Sequence, residues 1–334
     1  MYSIKMYGVK AEDRPFAERW AQKHQVKLAM TTDVINERTI DDARGFDGVT
    51  TLQVTDIPRK TYARFHAMGI KQIAQRSAGY DMYDLAEATK NHIIISNVPS
   101  YSPESIAEYA LTTALNLVRR VPQIQQRVAA HNFTWQTPIR GRVIGKMTIA
   151  VLGTGRIGAH AARLFHGIGA KVIGFDRHQN PALTGIVTYV DSIEEAVAQA
   201  DLVSLHMPAN NANHHLFDAN MFQHFKRGAY LVNTARGSLI DTQALLNALT
   251  QGQLAGAGLD VYEHEGPIVP LDLQGQPLAD ELFKQLLASE RVIYSPHVAY
   301  YTDEAVANLI EGGLDATLDV ILHGDTANRV NDLA

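Results

Sequence analysis

The sequence predicts an α/β protein of two domains, each built on a doubly wound parallel sheet. Three observations carry this reading. At 334 residues the chain is about two domains long. Its apolar content of 46% against 19% charged residues suffices for two cores. Two separate series alternate short β-branched runs with helical patterns, as β/α units on parallel sheets do.

The first series places strands at 4–9, 26–30, 49–54 and 93–95, with a further strand ending near Gln75 and helical patterns at 16–24 and 60–68. Asn97-Val98-Pro99 ends it. Ser102 is then suited to an N-cap, with Pro103 at the first helical position and Glu104 in the positive first turn, so a long helix is expected to about Arg119. The second series begins at Met147 with strands at 148–152, 171–175, 202–205, 230–233, 255–260 and 292–295. Helical patterns at 194–200 and 241–249 separate some of them, and six parallel strands make a complete doubly wound sheet. An amphipathic pattern from Asp303 to about Leu322 closes the chain.

Charge and composition narrow the function. Thirty Lys plus Arg against 35 Asp plus Glu give a net −5 with no block of like charge to track a phosphate backbone, so no nucleic-acid partner is expected. With no cysteine, thiolate metal sites, disulfides and cysteine nucleophiles are excluded, and chemistry falls to histidine and carboxylates. No metal site is expected. Lys10, Glu12, Asp13 and Arg14 interrupt the start before an export signal could develop, which fits a cytoplasmic protein. The uncharged stretch 242–259 holds three Gln and three Gly, and reads as a helix end and a strand rather than a membrane span.

The strongest local signal is Gly153-Thr154-Gly155-Arg156-Ile157-Gly158. With 24 glycines in the chain, chance gives roughly 0.1 such patterns, so context decides. An apolar strand precedes it, and Ile157, Ala161, Leu164, Phe165 and Ile168 follow at helical spacing. Gly153 permits the tight turn, Gly155 lets a pyrophosphate approach the backbone, and Gly158 allows close packing of the helix, whose N-terminus favours the phosphates. Asp176, 18 residues past Gly158 at the next strand end, suits the ribose hydroxyls of NAD and would repel the extra phosphate of NADP. NAD is therefore the expected cofactor, although Arg177 could soften the preference.

Later strand ends deliver Arg236, Glu263-His264-Glu265 and His297 to one rim, where open parallel sheets bind ligands. A cation, a carboxylate and an imidazole beside a dinucleotide loop point to catalysis. At these residues the sequence resembles the D-isomer-specific 2-hydroxyacid dehydrogenase family over essentially its whole length, and most of all the bacterial D-lactate and D-2-hydroxyisocaproate dehydrogenase branch. The motifs carrying the resemblance are the glycine loop, Asn97-Val-Pro-Ser-Tyr-Ser-Pro103, Leu205-His206-Met207-Pro208, Asn233-Thr234-Ala235-Arg236-Gly237, Leu259-Asp260-Val-Tyr-Glu-His-Glu265 and Ser295-Pro-His297.

The resemblance implies an NAD-dependent enzyme that reduces 2-oxo acids to D-2-hydroxy acids. It implies a discontinuous flavodoxin-like substrate domain (1–101 and 300–334), a Rossmann NAD domain (102–299), a cleft between them and a homodimer. Carried over by position, His297 is the acid/base, Glu265 its partner and Arg236 the substrate-carboxylate ligand. Chemistry agrees: imidazolium can protonate a carbonyl oxygen near neutral pH, a carboxylate favours that charged form, and guanidinium offers a planar fork. Glu263 competes with Glu265 by proximity, and the family motif favours Glu265. Asp260 would orient the nicotinamide carboxamide, and Arg156, Ile157, His206, Met207, Pro208, Asn213, Thr234 and Ala235 would line the dinucleotide.

For the substrate, Ala78 and Gly79 would offer backbone N–H groups and Tyr101 would close the far side, with Arg76 and Asp81 shaping the loop. Leu52 and Tyr300 resemble the hydroxyisocaproate type. Leucine in place of the aromatic found in many lactate-type relatives leaves room for branched or aromatic 2-oxo acids as well as pyruvate. Leu52 could equally face the core. The alternative is an NADH-sensing interaction protein or corepressor on the same fold. Formate and phosphoglycerate dehydrogenases are the related enzymes next in line, and a methyltransferase would leave Arg236, Glu265 and His297 unexplained.

Overall fold

The computed structural model describes residues 1–332, which divide into two compact units, Met1–Ser102 with the C-terminal segment from Tyr301, and Pro103–Tyr300. Each division lies one residue beyond the expected boundary, so Tyr300 falls in the second unit rather than with the C-terminal segment. The end of the expected domain, 333–334, lies outside the described residues.

The first unit holds a five-stranded parallel sheet of β1 (Ser3–Tyr7), β2 (Lys27–Met30), β3 (Gly48–Thr51), β4 (Gln72–Gln75) and β5 (Ile94–Ser96), in the order β2-β1-β3-β4-β5. Alternation along β1 divides the core: Ile4 and Met6 pack with Trp20 and Leu314 on one face, and Tyr7 packs with Phe65 and Ile73 on the other. Helices α1 (Arg14–His24), α2 (Lys60–Ala67), α3 (Leu85–Lys90) and the C-terminal helix Asp303–His323 cover the sheet. The C-terminal helix is clamped to α1, where Trp20 Nε1 donates to Asp315 Oδ1 at 2.7 Å. Beyond it the chain returns to the β5 edge. Val330 N donates to Ile95 O at 2.8 Å, and Asn331 Oδ1 accepts from Ile95 N at 2.7 Å, so this edge is not left bare.

The second unit opens with α4 (Pro103–Val118) and α5 (Val121–Ala129). Its parallel sheet comprises β6 (Thr148–Leu152), β7 (Lys171–Phe175), β8 (Val187–Tyr189), β9 (Leu202–Leu205), β10 (Ala229–Asn233), β11 (Leu254–Leu259) and β12 (Val292–Tyr294), in the order β12-β11-β10-β9-β6-β7-β8. Helices α6 (Arg156–Gly167), α7 (Ile193–Gln199), α8 (Ala219–His224), α9 (Thr242–Thr250) and α10 (Glu281–Ala288) lie between the strands in sequence. Asp or Ser at the N-caps of α7 to α10 accepts from the third helical N–H, fixing where each begins.

The sheet has seven strands, not the six the sequence suggests. The additional strand, β8, has only three residues at an edge, with Val187 alone buried, so its apolar signal is too short to read. The uncharged stretch 242–259 resolves into α9 and β11, and no helix of the described residues is long and apolar enough to cross a membrane. Strand order reverses at β6, and the glycine loop follows that strand.

Candidate active site

Two of the three glycines of the 153–158 loop answer a steric demand within the protein. Gly153 has φ 88°, and a Cβ there would stand 2.8 Å from the carbonyl of His206. A Cβ on Gly158 would fall 1.8 Å from Gly153 O, so only glycine lets α6 begin against the loop. Gly155, by contrast, would meet nothing within 4 Å: it caps α6 and faces open space. Exposed Arg156 and half-buried Ile157 occupy the first turn, where the positive end of the helix dipole favours an anion.

Asp176 follows β7 directly. Its Oδ2 accepts from Thr154 N at 2.6 Å and from Thr154 Oγ1 at 3.3 Å, and Oδ1 accepts from His178 N at 3.1 Å. After β9, His206 Nε2 contacts Ser204 Oγ at 2.8 Å, and burial pushes the ring's pKa down to about 4. Met207 and Pro208 continue this loop, and Asn213 braces it by donating to Pro208 O at 2.8 Å. Among the described residues, two buried polar atoms, His206 Nδ1 on this loop and Thr234 Oγ1 just after β10, have no hydrogen-bond partner. An open backbone cradle at a helix N-terminus, an anchored carboxylate and unspent buried polar atoms fit a dinucleotide.

The loops after β10, β11 and β12 carry the charged set. Arg236 is held by its own strand end: Asn233 Nδ2 donates to Arg236 O at 2.9 Å, Ala235 N donates to Asn233 Oδ1 at 2.9 Å, and Arg236 Nη1 donates to Ala235 O at 2.8 Å. A Cβ on Gly237 would lie 2.2 Å from Tyr262 C, so glycine lets the Arg236 loop rest on the backbone of the next. There Glu265 Oε1 lies 2.7 Å from His297 Nδ1, while Glu265 Oε2 accepts from Tyr262 N at 3.0 Å. Glu263 turns elsewhere. It meets His215 Nε2 at 2.6 Å and accepts from Thr242 N at 2.9 Å. Burial opposes its ionisation, yet hydrogen bonds from Thr242 and His215 hold its carboxyl below the ordinary range.

Asp260, 2% exposed, sits beneath the histidine loop. It accepts from Ser295 Oγ at 2.6 Å, Val298 N at 2.9 Å and Ala299 N at 2.8 Å. Burial raises its pKa and these bonds oppose the rise. The carboxylate expected to meet nicotinamide is thus largely engaged in shaping residues 295–299, where His297 adopts φ 57°. Half-buried Tyr300 closes the unit.

The rim of the first unit is described separately. Ala78 O accepts from Asn97 Nδ2 at 2.7 Å and Gly79 O from Ser77 Oγ at 2.6 Å. Among the described residues, neither the Ala78 nor the Gly79 N–H has an acceptor in the protein. Arg76 is fully buried and donates to Tyr7 O at 2.8 Å and Gly8 O at 3.1 Å, bracing the loop from below. Leu52 is half-buried, whereas Gln53 beside it is buried and bonded to Ile35 N and O. Tyr101 is also half-buried, and its carbonyl accepts from Asn308 Nδ2 at 2.6 Å. Sequence reasoning missed Thr154 beside Asp176, Ser77 and Asn97 beside Ala78–Gly79, and His215 opposite Glu263.

Residues 111–299 match the NAD-binding domain of the D-isomer-specific 2-hydroxyacid dehydrogenases. The chain belongs to that family. It is 52% identical over 328 residues to a D-lactate dehydrogenase of Streptococcus agalactiae, covering 98% of this chain and 99% of that one. A D-lactate dehydrogenase structure from Treponema pallidum is similar at 40% identity and TM-score 0.91, covering 99% and 100% of the two chains. A D-2-hydroxyisocaproate dehydrogenase structure gives 36% identity and TM-score 0.92 over the same shares. A family member from Lactobacillus delbrueckii, solved in an NAD-complexed form, is 32% identical with TM-score 0.88 over 98% of this chain and 100% of that one. This member of the family is an NAD-dependent oxidoreductase of D-2-hydroxy acids. The corepressor alternative has no support among these relatives.

Proposed function

We propose that the enzyme reduces pyruvate and larger branched or aromatic 2-oxo acids, with His297 as proton donor, Glu265 as its partner and Arg236 as carboxylate ligand. The 2.7 Å contact between Glu265 Oε1 and His297 Nδ1 carries this reading. With Nδ1–H donating to the carboxylate, the proton for the carbonyl oxygen comes from Nε2, and the imidazolium before transfer is charge-matched. Bound NADH supplies the hydride. Arg236 engages the substrate carboxylate and stabilises charge on the carbonyl oxygen. Ala78 and Gly79 donate their N–H groups to the carboxylate, Tyr101 and Tyr300 bound the side-chain space, and Leu52 widens it. The test is loss of NADH absorbance with pyruvate, 2-oxoisocaproate and phenylpyruvate, with chiral analysis of the products. No turnover on any of the three refutes the proposal.

We further propose that the enzyme is a homodimer built through its NAD domain and works in the cytoplasm. Phe133 at 70% exposure, Trp135 at 97% and Val143 at 64% are apolar side chains left exposed along one segment of the second unit, and burying them supports an interface there. Sedimentation velocity reads this directly: wild type as a dimer and Trp135→Glu shifted towards monomer support it, and a monomeric wild type refutes it. The absence of cysteine throughout the sequence accords with the cytoplasmic assignment.

A further inference from the structure

We propose that Tyr189 and Thr154 are positioning residues that fix the Asp176 carboxylate and so set the preference for NADH over NADPH. The inference rests on Asp176 as the ribose acceptor and adds what holds it. Tyr189 ends the short edge strand β8, whereas Thr154, 1% exposed, lies between the first two glycines of the loop. Tyr189 OH donates to Thr154 Oγ1 at 2.8 Å and accepts from Asn180 N at 2.9 Å. Asn180 Nδ2 in turn donates to Thr154 O at 3.1 Å, so Thr154 is held through both side chain and backbone.

The direction of this chain is forced. An ionised carboxylate only accepts, so the single hydroxyl proton of Thr154 goes to Asp176 Oδ2, and Thr154 Oγ1 must then accept from Tyr189. Each donor points towards the carboxylate, and such chains polarise one another. Oδ2 carries two of the bonds and Oδ1 one, from His178 N. A carboxylate offers about four acceptor positions, so the remaining one lies on Oδ1. The chain thereby selects which oxygen meets a ribose hydroxyl. It also prevents the charged group from rotating away when a 2′-phosphate arrives, which keeps the repulsion in place.

The experiment measures kcat/KM for NADH and NADPH at saturating pyruvate in wild type, Tyr189→Phe, Thr154→Val, Thr154→Ser, Asp176→Ala and Tyr189→Phe/Asp176→Ala, with thermal unfolding confirming that each variant folds. Tyr189→Phe should lower the NADH/NADPH ratio about fivefold, the weight of one net hydrogen bond. Thr154→Val should lower it at least as far, Thr154→Ser should restore it, and KM for pyruvate should hold. In the Asp176→Ala background the tyrosine change should have no further effect. A ratio within twofold of wild type in Tyr189→Phe, beside a collapsed ratio in Asp176→Ala, overturns the positioning role and leaves the ribose reading standing. An undiminished ratio in Asp176→Ala overturns the ribose reading itself. Equal effects of Tyr189→Phe with and without Asp176 would show that the tyrosine acts by another route, and also overturn the proposal. Should Tyr189→Phe not fold, the Thr154→Val and Thr154→Ser pair decides on the same ratio.

Discussion

His297 Nδ1 lies 2.7 Å from Glu265 Oε1, and the two side chains come from loops after adjacent strands, β12 and β11. His297 reaches that position in the left-handed region, φ 57°, which residues with a Cβ adopt at a cost. The pairing orients the ring and leaves the opposite nitrogen for proton transfer. His297→Ala should therefore abolish turnover while NADH binding, read by fluorescence titration, stays within about twofold of wild type. Glu265→Gln keeps the shape but loses the charge, and should lower kcat by about a hundredfold or more. Full activity in either variant removes its assigned role.

The loop that bears His297 depends on Asp260. Ser295 Oγ is its shortest donor at 2.6 Å, and Val298 and Ala299 supply the others. Ser295→Ala removes one bond to a buried carboxylate, worth about 1.5–3 kcal/mol, and frees the neighbouring backbone. The expected result is a drop in kcat with little change in NADH affinity, alongside a lowered melting temperature. A fall in NADH affinity alone, with kcat intact, would return Asp260 to a purely cofactor-facing role.

The glycine loop supplies a contrasting pair. At Gly158 an added Cβ meets a backbone oxygen at 1.8 Å, which no flexible side chain can relieve, whereas at Gly155 it meets open space. Gly158→Ala should cost about 1–3 kcal/mol in chemical unfolding and weaken NADH binding as well. Gly155→Ala should leave stability within about 0.5 kcal/mol and weaken NADH binding only, if the open space beside it is where the pyrophosphate approaches the backbone. Wild-type NADH affinity in Gly155→Ala would refute that placement.

Much of this was legible in sequence because it is written in local pattern. The strands β6, β7 and β9 follow from short runs that are mostly apolar, and Gly153, Gly155 and Gly158 from their spacing between an apolar strand and a helical pattern. What was not legible depends on contacts across the sheet. The three residues of β8 carry too little apolar signal to register, so the Tyr189 hydroxyl beside Thr154 was invisible. Glu263 and Glu265, two positions apart, are equivalent by spacing; their partners, His215 and His297, come from different loops. Asp260 reads as a cofactor residue by position, while its bonds to Ser295, Val298 and Ala299 exist only once β11 and β12 are paired.

His206 links stability to pH. Its pKa falls from an ordinary value of about 6.5 in the unfolded chain to about 4 in the fold, because burial disfavours the charged ring. Between those values the unfolded state binds more protons, so the contribution is complete above about pH 6.5 and is lost as pH falls towards about 4. The full shift corresponds to at most about 3 kcal/mol, reduced because the residue is only half-buried as a whole. Urea unfolding of the apoprotein across this range should show stability falling with acid, and His206→Asn should flatten the fall. An identical slope in the variant would place the titration elsewhere.

Substrate breadth turns on Leu52, half-buried at the end of β3, with its backbone oxygen 2.7 Å from where a Gly8 Cβ would stand. Gly8 lies against the Leu52 backbone, and buried Gln53 is bonded to Ile35, which fixes the backbone at this position. Leu52→Tyr should fill the space that accommodates a branched side chain. Losing burial of two or three carbons of 2-oxoisocaproate costs about 2 kcal/mol, so kcat/KM for that substrate should fall roughly thirtyfold while pyruvate stays within about threefold. Equal losses on both substrates would show that Leu52 supports the fold and not the choice of substrate. An unchanged ratio with full activity would place its side chain away from the substrate altogether.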